Sequence, residues 1–403
     1  MTLERERDNQ GWIYDLMVKM TGRTHNFAYD QRDLPPEVKN YAMIPRTMER
    51  QGRHIEKLAQ AAEAAGNRET ALALYCRALQ PYHIAQHAIY RDDDQEKIYL
   101  HGKLLENFEG AARTSPYLVS RVEIPLDGNF IQAYFHAVPG TGRKPAVLYC
   151  PGMDQTKESY PRPNDNHFVD RGMHVLSIDG PGQGTSNIRK IRLTLDNYER
   201  AGGAALDWLC QQPGVDPDRI GIYGSSMGSH WVTQIAATDK RVKAAASAFA
   251  CYSDKHQLFE IDSPRFKRIF MYMTGIHDEG KFDEFAERYT LDAYFPMINC
   301  PTLMIHGEFD PLSDLDEALA LYGQIPAAKE LWIVENDFHM PLARRNFGGL
   351  DVYHFAADWI RGVLTGSRVP TGHREVIVRE SSGIGPYDRQ MTDHKLPGRI
   401  ADD

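Results

Sequence analysis

The sequence predicts a protein of the α/β class, with a mainly parallel sheet, helices on both of its faces and an all-helical region in front of it. Two observations support this class. From residue 117 onward, short apolar segments alternate with stretches of helical character, and residues 46–112 carry apolar side chains at helical spacing. Continuous apolar strands that alternate with helices are typical of parallel sheets buried on both faces. Functional residues in such sheets gather at the carboxyl ends of the strands.

The first element is the helical region. Residues 11–20 and 46–112 have the 3.6-residue apolar period, and Gly66-Asn67 separates two such stretches as a helix stop followed by a new start. We therefore assign residues 1–115 to a helical, cap-like N-terminal domain.

The second element is a catalytic domain over residues 116–367. Its first two strands, Val119 to Ile124 and Phe130 to Val138, are separated by Asp127-Gly128, a pair that predicts a tight hairpin. Further strands are predicted at residues 146–150, 174–178, 219–223, 242–250, 302–305 and 330–334.

Two segments depart from this alternation. Residues 251–299 are long for a crossover and rich in aromatic side chains that look exposed, which predicts a helical lid insertion over the strand ends. Residues 368–403 are polar and lack a sustained period, so we predict an extended or flexible C-terminal tail.

The most informative motif is GSSMG at residues 224–228, between the predicted strand at 219–223 and a helix-compatible run. A serine in a sharp strand-to-helix turn needs small residues two positions before and after it, and this frame selects Ser226. The turn exposes the hydroxyl and directs the backbone N–H of Met227 toward a developing oxyanion. Ser226 is therefore the predicted nucleophile.

A serine nucleophile needs a base, and the base needs an acid that orients it. In this topology the order is Ser, Asp or Glu, His, each after a strand. The favoured acid is Asp310 and the favoured base is His339. The rivals for the acid are Glu308, Asp314 and Asp316, whereas His306 and His354 are predicted to be structural.

A second oxyanion donor is expected in the turn after the strand at 146–150, where the sequence is PGMD. There the candidate is the backbone N–H of Met153. The glycine-rich run DGPGQGTS at 179–186 lacks the lysine and the spacing of a phosphate-binding loop, so we interpret it as a structural strand-to-helix turn.

With these residues placed, the chain resembles the α/β-hydrolases. More narrowly, it is similar to the group with a helical N-terminal domain that includes 2,6-dihydroxypseudooxynicotine hydrolase and the fungal heptaketide hydrolases of melanin synthesis. The similarity covers most of residues 10–365 and depends on the runs PGMDQTKE at 151–158, DGPGQG at 179–184, GSSMG at 224–228 and HGEFDP at 306–311. It implies hydrolysis of a carbon–carbon bond next to a ketone, between the helical domain and the core.

The resemblance also implies a role for an acidic residue in the oxyanion turn, where Asp154 stands in this chain with a side chain one methylene shorter than the expected glutamate. A carboxyl group there could donate or shuttle a proton. The alternative is that Asp154 caps a helix begun by Lys157 and Glu158. These two residues are expected to form a surface or interdomain ion pair.

Composition restricts the partners. The net charge of −9 without a long basic run excludes nucleic acid and anionic membranes, and no segment reaches the length of a membrane span. The five cysteines are scattered without metal-ligand spacing, and the N-terminus lacks a signal-peptide core, so we expect a cytoplasmic protein. We predict a small-molecule substrate, no cofactor, no metal and a homodimer.

The predicted function is that of a serine-dependent hydrolase of a small carbonyl metabolite, with C–C bond hydrolysis of a ketone, polyketide-like or aromatic acyl substrate. A carboxylesterase and a peptidase of the prolyl-oligopeptidase type are the alternatives, although the latter carry an N-terminal β-propeller. A non-catalytic binding module on a hydrolase core is the second alternative.

Overall fold

A computed structural model describes residues 34–35, 37–249, 255–261, 264–339 and 344–379. The predicted helix at 11–20 and the tail beyond residue 379 lie outside the described residues. None of the helices in the described ranges is long and apolar enough to cross a membrane.

In the part of the chain that the structure describes, three long helices precede the sheet. They are α1 (Ile44–Ala64), α2 (Arg68–His87) and α3 (Gln95–Thr114). Gly66, at a φ of +78°, ends α1 in the left-handed conformation that glycine adopts readily, which explains the short turn into α2. The side chain of Asp94 caps α3 by accepting a hydrogen bond from the Lys97 amide. Since α3 ends at Thr114, we keep the domain boundary at residue 115 as a proposal.

The described residues then form a single sheet of nine strands, numbered along the chain, in the order β1-β2-β4-β3-β5-β6-β7-β8-β9. The first two pairings, β1 with β2 and β2 with β4, are antiparallel, and the pairings from β4 to β9 are parallel. The predicted α/β class is therefore confirmed. The strands are β1 (Val119–Leu126), β2 (Asn129–His136), β3 (Lys144–Cys150), β4 (His174–Ile178), β5 (Val215–Ser225), β6 (Val242–Ala248), β7 (Thr302–Gly307), β8 (Lys329–Val334) and β9 (His373–Val378).

Helices cover both faces of this sheet. The remaining helices are α4 (Gly184–Ile188), α5 (Asn197–Cys210), α6 (Met227–Thr238), α7 (Pro264–Thr274), α8 (Glu279–Arg288), α9 (Leu315–Gln324) and α10 (Val352–Thr365). One apolar core layer contains Trp231 of α6 stacked on Tyr198 of α5, with ring centroids 4.2 Å apart. The other layer contains the buried Trp359 and Ile360 of α10. Burial on both faces explains why the strands read as continuous apolar runs.

The insertion at 251–299 is helical where it is described, through α7 and α8. Its aromatic side chains were expected to be exposed, and this expectation is wrong. Phe259, Phe266, Phe270, Phe282 and Tyr289 are all buried, because they pack on one another and on α6. Phe270 and Phe282 both contact Phe259 at ring distances of 5.0 and 5.1 Å.

The C-terminal region differs from the sequence expectation in one respect. Residues 373–378 form β9, which pairs in parallel with β8 along its full length. Val376 and Val378 of β9 are fully buried. The alternation from Glu375 to Val378 is only four residues long, which is too short to stand out in a polar sequence.

Candidate active site

Ser226 lies between the end of β5 and the start of α6, with φ 54° and ψ −131°. A side chain at positive φ is strained, and such strain is found mostly at functional sites. The turn is held by a hydrogen bond of 2.9 Å from the Ser226 amide to the carbonyl of Ala248. A Cβ at Gly224 would collide with the carbonyl of Gly228, and a Cβ at Gly228 with the carbonyl of Cys150. The glycine spacing of the motif is thus a steric requirement.

The structure brings Ser226, His339 and Asp310 together. Nε2 of His339 lies 2.8 Å from Oγ of Ser226, and Nδ1 lies 2.8 and 3.1 Å from the two carboxylate oxygens of Asp310. The Asp310 side chain is fully buried, and its Oδ1 also accepts a hydrogen bond of 2.9 Å from the Leu312 amide. A carboxylate on Nδ1 leaves Nε2 of the neutral ring free of its proton and able to accept one from the serine.

The rival acids occupy other positions. Glu308 accepts a hydrogen bond of 3.0 Å from the Asn336 amide through its side chain. Asp314 caps α9 by accepting from the Asp316 amide, and Asp316 lies in the first turn of that helix. His306 is buried in β7, where its Nε2 is 2.9 Å from the carbonyl of Ser313 and burial lowers its pKa.

The two expected oxyanion donors flank the serine. A Cβ at Gly152 would lie 3.1 Å from Cβ of Ser226, so the turn after β3 approaches the nucleophile closely. Met153 and Met227 are both buried. Within the described residues, neither of their amides donates to another group in a turn or loop, so both N–H groups are available to an oxyanion.

Asp154 lines the cavity next to Ser226, with its side chain 3.9 Å from the guanidinium of Arg265. Its backbone carbonyl is 2.8 Å from Nε2 of His83 in α2, so the helical region contacts the oxyanion turn directly. The alternative that Asp154 caps a helix is wrong, because residues 151–163 form turns and no helix starts there.

Lys157 and Glu158 are fully buried, which contradicts a surface ion pair. Nζ of Lys157 lies 2.6 Å from Glu158 and 2.7 Å from Asp179. Burial alone would lower the pKa of Lys157, but the two carboxylates outweigh it and raise this pKa. Burial raises the pKa of Glu158, and the charge of Asp179 adds to this. Because one cation cannot neutralise two buried carboxylates, a proton on Glu158 is favoured.

The same network reaches the helical region. Nζ of Lys157 donates to the hydroxyl of Thr185 at 3.1 Å, and Nε2 of His101 in α3 is 3.0 Å from that hydroxyl. Burial is the main cause that lowers the pKa of His101 to about 3, and the charge of Lys157 is the second. His101 is therefore neutral at ordinary pH, and the network contacts the helical region through a hydrogen bond and not through an ion pair.

Among the described residues, His167, Asp351 and His354 form a group whose ligand atoms lie within 4.8 Å of one another. The two imidazole rings are stacked, with centroids 3.7 Å apart at 29°. Nearly parallel rings cannot both direct a nitrogen lone pair, in the ring plane, at one ion. Arg171 also lies 3.4 Å from Nδ1 of His354. We assign this group no metal. His354 lies in the first turn of α10.

A cavity of about 310 Å³ opens above Ser226 and His339. Its walls come from α2 and α3 of the helical region, from the turns at 153–162 and from Phe266 of the insertion. Its volume is at the lower end of the range for small-molecule sites. Sequence reasoning missed several of the lining residues, which are Leu79, Gln80, His83, Ile84, Leu104 and Arg162. They have no motif, and only the fold brings them here.

Comparison with known proteins agrees with this architecture. The 2,6-dihydropseudooxynicotine hydrolase of Paenarthrobacter nicotinovorans is 29% identical over 257 residues, which cover 63% of this chain and 68% of that protein. The alpha/beta hydrolase xenA of Xenoacremonium sinensis is 30% identical over 253 residues, 59% of this chain and 58% of that protein. The alignments thus cover about two thirds of the first relative and less than two thirds of the second.

A solved structure agrees as well. The crystal structure of the 2,6-dihydroxy-pseudo-oxynicotine hydrolase superposes with a TM-score of 0.72 and 23% identity, over 89% of this chain and 98% of that one. The fold is therefore that of an α/β-hydrolase. The relatives found by sequence are named as hydrolases and esterases, and they identify the chain as an enzyme. Residues 46–276, more than half of the chain, match the family described as esterase FrsA-like. The chain belongs to the FrsA-like esterase family, which argues against the alternative of a non-catalytic binding module.

Proposed function

We propose that this protein is a serine hydrolase that cleaves the C–C bond of a small ketone, with Ser226 as nucleophile, His339 as base and Asp310 as the residue that orients His339. The 2.8 Å contact between Nε2 of His339 and Oγ of Ser226 carries the proposal. The N–H groups of Met153 and Met227 would hold the oxyanion.

The proposed reaction consumes one water. Oγ of Ser226 attacks the ketone carbon while its proton passes to Nε2 of His339, which gives a tetrahedral oxyanion. The C–C bond then breaks, and its electron pair leaves on carbon as an enolate. Asp154 gives a proton to that carbon and takes up the proton held by His339, so that the imidazole is neutral again. Water, deprotonated by His339, releases the acyl group from Ser226 as a carboxylic acid.

Asp154 is the proposed proton donor to the leaving carbon. Its position in the wall of the cavity supports this assignment, since a carbanion needs a nearby acid more than an alkoxide does. The names of the relatives are those of hydrolases, and the first of them acts on a pseudooxynicotine by its name. The mixed apolar and polar cavity suits a ketone of similar size.

Ester hydrolysis is the second candidate, because it uses the same oxyanion and the family is described as esterase. A peptidase of the prolyl-oligopeptidase type is less well supported, because residues 44–114 form helices where those enzymes carry a β-propeller. The homodimer and the cytoplasmic location stay predictions, and light scattering in solution tests the former.

The test is active-site labelling combined with turnover. A fluorophosphonate should label the wild-type protein once, at Ser226, and should not label Ser226→Ala. An aryl 1,3-diketone should be split into a carboxylic acid and a methyl ketone by the wild type alone. Absence of labelling and of turnover in the folded wild type would overturn the proposal. Turnover of p-nitrophenyl esters without diketone cleavage would favour the esterase.

A further inference from the structure

We propose that Gln183 is a positioning residue, whose side-chain amide holds the Gly152 carbonyl and thereby aims the N–H of Met153 at the oxyanion. This inference rests on the proposed function, since it concerns the same oxyanion site. Gln183 belongs to the DGPGQG run, which by sequence alone is interpreted as a structural strand-to-helix turn.

The contacts of Gln183 are specific. Its Nε2 donates to the carbonyl of Gly152 at 2.8 Å and to that of Pro151 at 3.2 Å. Its Oε1 accepts a hydrogen bond of 2.7 Å from the hydroxyl of Tyr198. Because the two carbonyls can only accept, the NH₂ end of the amide must face them. Gln183 is 2% exposed and Tyr198 is fully buried, so both are held in place by packing.

The geometry of the peptide unit connects this contact to catalysis. The Gly152–Met153 peptide bond is trans, so its C=O and N–H point in opposite directions within one plane. A group that fixes the carbonyl of Gly152 therefore fixes the direction of the Met153 N–H. Gln183 lines a small cavity on the far side of this turn, whereas Ser226 lines the main cavity, and Met153 borders both.

At this position glutamine supplies both a donor for the two carbonyls and an acceptor for the Tyr198 hydroxyl. It precedes α4 as the N-cap residue, yet its side chain makes no capping bond and is free to reach the oxyanion turn. An ionised glutamate would place a carboxylate against two carbonyl oxygens, and a methionine of similar length would leave both without a donor.

The experiment compares Gln183→Met and Gln183→Glu with the wild type on a p-nitrophenyl ester. Loss of an oxyanion donor lowers kcat about 10²- to 10³-fold, so a donor that is present but misdirected should lower kcat about 10- to 100-fold. KM should stay within about threefold, because the interaction strengthens only in the transition state. The matched control is Gln234→Met, since buried Gln234 donates to the carbonyl of Leu195 at 3.3 Å, away from the turn.

Two further measurements separate positioning from a merely structural role. An aryl trifluoromethyl ketone adds to Ser226 and forms an oxyanion, so its inhibition constant should rise by the same factor as kcat falls, while the affinity for the product acid stays constant. In Gln183→Glu, the activity relative to wild type should rise as the pH falls from 8 to 6, because a protonated carboxyl regains one donor.

The outcomes are distinct. If folded Gln183 variants keep the wild-type kcat, or lose kcat without weaker ketone inhibition, the inference is wrong. If they do not fold, Tyr198→Phe is the variant to measure, since it removes only the hydroxyl that orients Gln183. A fall in kcat of about 3- to 10-fold, with ketone inhibition weakened by the same factor, supports the inference. An unchanged kcat refutes it. Failure of the proposed function would instead appear in the wild type, as absent labelling of Ser226.

Discussion

The amide of Phe309 donates a hydrogen bond of 2.9 Å to the carbonyl of Asp337, which ties the loop that carries Asp310 to the loop that carries His339. Gly307 at the end of β7 makes this possible, because a Cβ there would collide with the carbonyl of Phe338. The proposed acid and the proposed base are thus held together by their backbones before any substrate binds, as preorganised catalysis requires.

The first prediction concerns Asp310→Asn. The amide would favour the wrong tautomer of His339, so kcat should fall about 10³- to 10⁴-fold with KM little changed. Steady-state kinetics on a p-nitrophenyl ester measures this. Asp314→Asn is the control, because Asp314 caps α9 and its variant should keep kcat within about twofold of the wild type. Equal losses in both variants would contradict the assignment of Asp310.

The second prediction concerns Asp154→Asn. If Asp154 protonates the leaving carbon, the variant should lose diketone cleavage about 10²- to 10⁴-fold and retain ester hydrolysis, whose leaving group needs little help from an acid. Both rates are measured on the same preparation. Parallel loss of both activities would mean that Asp154 acts on the shape of the turn and not as an acid.

The third prediction follows from the backbone of Ser226. At φ 54° and ψ −131° any side chain is strained, so Ser226→Gly should be more stable than Ser226→Ala by about 1–2 kcal/mol. Urea unfolding measures the difference, and both variants lack the hydroxyl. Ser225 ends β5 in a regular strand, so Ser225→Ala should be more stable than Ser225→Gly by about 0.5–1 kcal/mol. The same order at both positions would argue against strain at Ser226.

The fourth prediction concerns Lys157→Met. Removal of the cation leaves Glu158 and Asp179 buried without it, so the free energy of unfolding should fall by about 3–5 kcal/mol. Lys267 is the matched control, because it also pairs with two carboxylates, Glu260 and Asp283, each at 2.8 Å, but these are about half exposed. Lys267→Met should cost less than about 1 kcal/mol. Similar costs in chemical denaturation would show that burial of the cluster does not matter.

The fifth prediction concerns acid stability. The pKa of His101 falls from 6.5 to about 3 on folding, so the unfolded chain binds more protons between these values. Stability is therefore lost as the pH falls below 6.5, by up to about 1.4 kcal/mol per pH unit from this residue. His101→Gln should have a flatter dependence of the unfolding free energy between pH 7 and 5. The exposed His373→Gln should keep the wild-type slope; an equal flattening there would contradict the role of His101.

Much of the fold is readable from the sequence because the strands are buried on both faces and stand out as apolar runs. The positions of Ser226, Asp310 and His339 were predicted for the same reason, since each follows a strand whose carboxyl end lies on one edge of the sheet. Their chemical roles stay proposals until they are tested.

What the sequence does not reveal depends on tertiary contacts. Lys157 and Glu158 look like surface residues, and only the fold shows that Asp179 and the helical region enclose them. The aromatic residues of the insertion look exposed in the sequence because several of their packing partners lie far away in the chain. Gln183 has no signal of its own, since its importance comes from the direction of one carbonyl on another loop.

The pairing of β9 with β8 has a consequence for shortened versions of this protein. All six residues of β8 are buried, and β9 occupies the outer hydrogen-bonding side of that strand. A polypeptide cut before residue 373 would present a bare apolar strand to solvent, a template for the same strand of another molecule. Such truncations would therefore be expected to assemble into intermolecular sheets and precipitate.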